Sequence, residues 1–240
     1  AEPYEEVVRN GKRAVTRNAL ASDLTMLASQ LLRMARADRR TRDFTLNNLR
    51  RALAQVVACM TVYRTYIVDE PSAQDTYFID QAVREAVLAS DLPDSTIFEF
   101  LRVSLLGRTV SDDPALQREA LRFAQRFQQF SAPVAAKGVE DMAFYRYFPL
   151  ASINEVGGEP AVFGMTPEAF HAASADRAQR WPHTMLATST HDNKRAEDVR
   201  NRIDVLSEMP SAWRLVLRRW HAINAPLRRA IEREVGHTGP

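Results

Sequence analysis

Cysteine is almost missing from this 240-residue sequence: Cys59, inside the apolar run VVACM, is the only one. No internal disulfide can form, and a reduced, cytoplasmic setting is the simpler expectation. Long apolar runs are missing too. None approaches the roughly 18 to 20 residues that a membrane span requires. The first residues, AEPYEEVVRNGKR, are polar and acidic and lack the apolar stretch of a secretory leader, so no membrane partner is expected. A surplus of one charge is also absent: 32 basic against 30 acidic residues leave +2, which argues neither for nor against an acidic partner. Lysine is scarce. Lys12, Lys137 and Lys194 are the only three among the 32 basic residues, the other 29 being arginine. A lysine kept against that bias marks a place where a compact ammonium suits better than a planar guanidinium. There is no internal repeat and no low-complexity segment. Metal-ligand spacing is missing as well. His171, His183, His221 and His237 stand apart, with no His-Glu-x-x-His and no cysteine pair, so no metal and no cofactor is expected.

What is present is ordinary for a soluble globular protein, with 45% hydrophobic and 26% charged residues. The length suits one large domain or two small ones with a real core. Helical periodicity fills the first 130 residues. Leu20, Leu24, Leu27, Leu31 and Met34 lay one stripe along a helix from about 11 to 38. Leu46, Leu49, Leu53, Val56 and Met60 repeat the pattern, with Thr45 placed to cap it. Further helices are expected near 75–90, near 95–106 before Gly107, and near 114–130, where Pro114 suits a first turn. VYRTYIV at 62–68, rich in β-branched and aromatic residues, reads as a short extended piece.

The character changes after Phe130. PVAAKGVED reads as a strand running into a loop, MAFYRYFPLASINEVGGEP as an aromatic-rich ordered loop, and TPEAFHAASADRAQRW as a helix opened by Thr166 and Pro167. HTMLATST at 183–190 reads as a strand, followed by an amphipathic helix in NKRAEDVRNRIDVLSEM and a last helix built on Trp213, Leu217 and Trp220. Strand, loop and helix in alternation suggest βα units of a parallel sheet or barrel. The expected fold is therefore mainly α. Residues 1–130 would form a helical insertion domain, and 131–240 a partial (β/α) barrel segment with two or three short strands and following helices.

One short stretch raises a chemical question. In TSTHDNKRAEDVR (188–200), His191 and Asp192 stand directly between a candidate strand and a charged segment. Asp192 has two readings. It caps a helix starting near Asn193, or it is a carboxylate at the mouth of a barrel strand, where active sites sit. In the second case it stabilises an oxocarbenium-like centre or grips sugar hydroxyls, and His191 hydrogen-bonds the same sugar. Retaining glycoside chemistry needs two carboxyl groups about 5 Å apart, so Asp192 would be one part of a larger set. Glu140 and Asp141, followed by Phe144, Tyr145 and Tyr147, also have two readings. They bind sugar hydroxyls beneath stacking rings, or they order a loop and anchor Arg146.

Four segments carry a resemblance. RDFTLNNLRRALAQVVACMTVYRTY (42–66), KGVEDMAFYRY (137–147), INEVGGEP (153–160) and WPHTMLATSTHDNKRAEDVRNRIDVLSEMP (181–210) resemble the malto-oligosyltrehalose synthase family of the α-amylase superfamily. The likeness runs across almost the whole chain, and the 181–210 block is the most specific part. It implies a catalytic (β/α)8 barrel with large helical insertions. It also implies an isomerase that turns the reducing-end α-1,4 link of a malto-oligosaccharide into an α,α-1,1 link by intramolecular transglucosylation. By the superfamily's pattern Asp192 would be the carboxylate that stabilises the transition state, with His191 in the same subsite. Lys137 and Lys194 match positions in the pocket that holds the released glucose.

The sequence departs from the pattern in ways that matter. No segment upstream of Lys137 resembles the Arg-x-Asp nucleophile motif or the strand bearing the acid/base Glu. Asn193 and Met142 stand where Thr is expected. The resemblance therefore implies a fragment, inactive alone, whose partners are the remainder of the same enzyme chain and a malto-oligosaccharide substrate. A functional link to maltooligosyl trehalose hydrolase is implied too. The rival readings are a structural or protein-interaction helical domain, and a module touching phosphates through RMARADRRTRD and the pairs Arg50-Arg51, Arg218-Arg219 and Arg228-Arg229. Near-balanced charge and the lack of interleaved aromatics argue against nucleic acid.

Overall fold

Helices dominate because apolar residues recur every three or four positions along most of the chain. The computed structural model describes residues 2–92 and 94–234, and of 229–234 the backbone only; His237 and the Arg229 side chain lie outside the described residues. The chain divides into two units, Ala1–Phe148 and Pro149–Pro240.

The first unit holds α1 (Tyr4–Arg17), α2 (Ala21–Ala35), α3 (Leu46–Cys59), α4 (Ala73–Leu88), α5 (Thr96–Leu105) and α6 (Pro114–Ala135). The single helix expected over 11–38 is two helices. The Leu20 N–H bonds back to the Val15 carbonyl at 3.0 Å, and the Asn18 side chain donates to the Ala14 carbonyl at 3.0 Å, which closes α1 before the stripe of α2 begins. Caps fall where hydroxyl and carboxylate side chains stand. The Thr45 hydroxyl accepts the Asn48 N–H at 3.2 Å. Ser72 and Asp75 cap each other reciprocally, and Asp113 precedes Pro114 at the start of α6. Leu27, Leu31, Leu49, Leu53, Val56, Leu101, Phe123 and Phe127 form one buried core across these helices. Each such side chain contributes about 1.5 to 3 kcal/mol through burial.

Residues 62–68 form no strand. Their backbone is satisfied by side chains instead of a neighbouring strand. Gln128 brackets Ile67, accepting its N–H at 2.6 Å and donating to its carbonyl at 3.0 Å. Asp75 accepts the Tyr66 N–H at 2.9 Å, and Gln125 donates to the Val68 carbonyl at 2.8 Å. The segment expected as a strand at 133–137 is helical too. α6 runs through it to Ala135 and widens into a π turn, Ala136–Glu140. That turn packs backbone to backbone on α1: a Cβ on Gly138 would lie 2.8 Å from the Lys12 N and Cα, and one on Gly11 would lie 2.3 Å from the Gly138 carbonyl oxygen. Both positions require glycine.

The second unit holds α7 (Pro167–Arg180), α8 (Glu197–Val205) and α9 (Pro210–Glu234), joined by irregular segments and two short 3-10 turns, Ala151–Ile153 and Leu206–Glu208. Thr166 caps α7 as expected, accepting the Ala169 N–H at 3.2 Å. The partial barrel is not seen. Among the described residues there is no strand and no sheet, so the fold is mainly α without the β component. The expected strand at 183–190 is an open segment, with Met185 96% and Leu186 71% exposed. A strand needs a neighbour to pair its N–H and C=O groups, and no described segment pairs with this one. Among the described residues of this unit only Ser152, Asn154, Glu155 and Pro160 are buried. Among the described residues the unit has no apolar core of its own.

Candidate functional site

The His-Asp stretch lies on the segment between α7 and α8. The Asn193 side-chain oxygen accepts from the Thr190 hydroxyl at 2.9 Å and from the Thr190 N–H, closing a turn around His191 and Asp192. The turn in turn rests on Glu155. This buried carboxylate accepts the N–H groups of Lys194 at 2.7 Å, Arg195 at 3.1 Å and Val156 at 3.0 Å. Burial alone would raise the Glu155 pKa, but these backbone donors and the Asn193 side chain outweigh it and hold the carboxyl below its ordinary range. On the α8 side the Ser189 hydroxyl accepts the Glu197 N–H at 3.1 Å, and Arg200 donates to the Thr188 carbonyl.

His191 and Asp192 face outward from this anchored turn. Nε2 of His191 lies 3.2 Å from Oδ2 of Asp192, and the two side chains are 89% and 70% exposed. The helix expected to start near Asn193 starts at Glu197 instead, with Ala196 before it and no side-chain cap. Asp192 is therefore not the cap of α8. An exposed imidazole–carboxylate pair on a fixed turn can bind hydroxyls and present negative charge to a developing cation. Lys194 stands two residues on, half-buried, with its backbone N–H held by Glu155.

Lys137 belongs to the first unit. It sits on the π turn, its ammonium 2.7 Å from Oδ2 of Asp141. Glu140, on the same turn, accepts from the Tyr63 hydroxyl. Burial first, and that bond second, push the Tyr63 pKa up. Phe144 is buried and Tyr147 packs on Tyr4 with ring centroids 5.1 Å apart, while Tyr145 remains exposed. Asp141 thus pairs within its own turn, and Glu140 ties that turn to Tyr63. Met142, one of the two departures from the pattern, packs against the main core.

Two residues escaped the sequence reading. Glu155 was visible only as part of INEVGGEP; its signal was a lone carboxylate in a Gly-rich segment, and nothing local pointed to a partner some 40 residues away. Lys12 is the third rare lysine. It is buried, donates to the Met60 carbonyl at 2.6 Å, and has its pKa lowered to about 8, chiefly by burial, against a smaller raising effect of Cys59. Among the described residues no group of three or more His, Cys, Asp or Glu side chains is placed to hold a metal ion, and no helix is long and apolar enough to cross a membrane.

With this geometry in place, comparison with known proteins gives a consistent answer. No family model matches the chain. A protein described as a maltooligosyl trehalose synthase of Mycobacterium tuberculosis is 54% identical over 90 residues, which are 38% of this chain and 12% of that protein. The solved maltooligosyltrehalose synthase of Arthrobacter ramosus is 37% identical with a TM-score of 0.73, over 91% of this chain and 25% of that one. A hypothetical maltooligosyl trehalose synthase of Sulfolobus tokodaii, at 24% identity and a TM-score of 0.65 over 93% of this chain, shows likeness of fold alone. The chain is thus similar, along nearly all its length, to trehalose-forming enzymes. The solved chains it resembles are described as maltooligosyl trehalose synthases, and it spans about a quarter of their length.

Proposed function

We propose that the chain works as one portion of a maltooligosyl trehalose synthase, an isomerase of trehalose biosynthesis. The enzyme would convert the reducing-end α-1,4 link of a malto-oligosaccharide to an α,α-1,1 link. In the scheme, the link to the terminal glucose breaks with formation of a glycosyl–enzyme bond. The released glucose stays bound, turns, and returns its anomeric hydroxyl to the same carbon, displacing the enzyme's carboxylate. Asp192 would stabilise the cationic transition states of both steps, with His191 on the same sugar. Lys194 would hold the freed glucose so that it outcompetes water, and the resemblance assigns Lys137 to glucose binding as well. The nucleophile and acid/base would come from the remainder of the enzyme, leaving this chain inactive alone. The product would then be the substrate of a hydrolase that releases trehalose, in the cytoplasm.

The observation that carries this reading is the His191–Asp192 pair, outward-facing on a turn anchored through Glu155, in a chain that aligns at 37% identity with the Arthrobacter ramosus synthase. The second unit's exposed apolar residues support it. Trp181, Met185, Leu186, Leu215, Ile223 and Leu227 are the kind of surface that further chain would cover.

The test is loss of reducing ends from maltopentaose, measured for a full-length enzyme carrying this segment, for its Asp192→Asn form, and for the 240-residue chain. The expected result is activity in the full enzyme, a loss of about a thousandfold in Asp192→Asn, and none in the chain alone. A rate within a few fold after Asp192→Asn overturns the assignment of Asp192. Activity in the chain alone would place the missing carboxylates within it.

A further inference from the structure

A groove on the first unit gathers two pairs of arginines, one from α1 and one from α3. It has a volume of about 360 Å³ and lies among the last turns of α1, the start of α2, the first half of α3 and the α4–α5 connection. Arg13, Arg17, Arg50 and Arg51 line it, with Asp91 as the one carboxylate in the lining. Two of the four guanidinium groups are already satisfied: Arg13 is 2.9 Å from Glu6, and Arg51 is 2.7 Å from Asp91. Arg17 and Arg50 have no carboxylate partner among the described residues. A concave surface is thus left with two uncommitted positive charges, while the chain as a whole is close to neutral.

We propose that this groove binds a small phosphoryl dianion through Arg17 and Arg50, with Arg13 and Arg51 as flanking donors. Guanidinium groups match phosphate oxygens two at a time, and two uncommitted cations balance the charge of a phosphate dianion. Thr16 and Gln55 also line the groove, but their hydroxyl and amide already donate to the Arg13 and Ala89 carbonyls at 2.9 and 3.2 Å, which leaves the arginines as the groups that select the ligand. Nucleic acid fits less well. The lining holds no aromatic ring on which a base could stack, and the groove has the volume of one small molecule rather than a track. Nothing in the proposed sugar chemistry uses these residues, so this inference stands apart from that reading.

The experiment is calorimetric titration of the 240-residue chain with inorganic phosphate and with pyrophosphate at low and high salt. The expected result is saturable one-to-one binding that weakens with salt. Arg17→Gln/Arg50→Gln should weaken it about tenfold or more. The exposed pair Arg36→Gln/Arg39→Gln, outside the groove, should leave it unchanged. Asp91→Asn frees Arg51 and should tighten binding, a gain that a folding defect cannot mimic. Absence of binding, equal loss in both double variants, or tighter capture of a DNA oligonucleotide that ignores Arg17 and Arg50 would each overturn the proposal.

Discussion

Lys12 shows how a single residue type can be conspicuous in a sequence and still hide its role. Three lysines stand out against 29 arginines. Two lie on the turns proposed to meet the sugar, and the third turned inward. Its amine donates to the carbonyl that ends α3, at 2.6 Å, and burial lowers its pKa to about 8 from an ordinary 10.5. The sign of the consequence follows. Between pH 8 and 10.5 the unfolded chain binds more protons at this site than the folded one, so stability rises with pH there. The Cys59 thiol and the Tyr63 hydroxyl, both pushed up by burial, act in the opposite sense, but only above their ordinary values of 9 and 10. The interval from pH 8 to 9 therefore belongs to Lys12. Urea unfolding of the first unit should gain about 1 kcal/mol from pH 7 to pH 9, and the Lys12→Met variant should not. An equal gain in the variant would refute the burial argument.

At the scale of an element, the turn that carries His191, Asp192 and Lys194 is held by one side chain from another segment. Glu155 accepts two successive N–H groups of that turn, which an amide cannot do as well: a glutamine offers one acceptor and turns a donor toward the second N–H. Glu155→Gln should speed hydrogen exchange at the Lys194 and Arg195 amides about tenfold, with α1 to α6 unchanged. Exchange at the wild-type rate would mean that the turn is fixed by Asn193 and Arg200 alone. The carboxylate's pKa lies below its ordinary range, so the anchor is fully present above that range. It is lost as pH falls through the folded value. Helices were legible where a stripe and a capping side chain coincide; Thr45, Ser72 and Asp113 mark three starts in the first unit and Thr166 one in the second. The strands were misread because β-branched residues report compatibility with a sheet, whereas pairing depends on a neighbour. At 62–68 Gln128 and Asp75 take the neighbour's place.

On the scale of the whole molecule the two units differ in what holds them. The first buries Leu, Val and Phe side chains from six helices. The second buries Ser152, Asn154, Glu155 and Pro160, while Met185, Leu186 and much of α9 are exposed. Dilute protease should therefore cut first within 149–234 and leave a resistant product ending near residue 148. Initial cleavage within α2 or α3 would contradict this reading. By itself the sequence determined most of the helical segments, several of their starts, the main core stripes and the resemblance that led to Asp192, because periodicity, capping and motif identity are local properties of a chain. Only the tertiary structure decided that PVAAK continues a helix, that Lys12 is buried, that Glu155 anchors the His-Asp turn, and that Arg13, Arg17, Arg50 and Arg51 share one groove. Each of these joins residues far apart in the chain, and such encounters are fixed by packing, which no local pattern encodes.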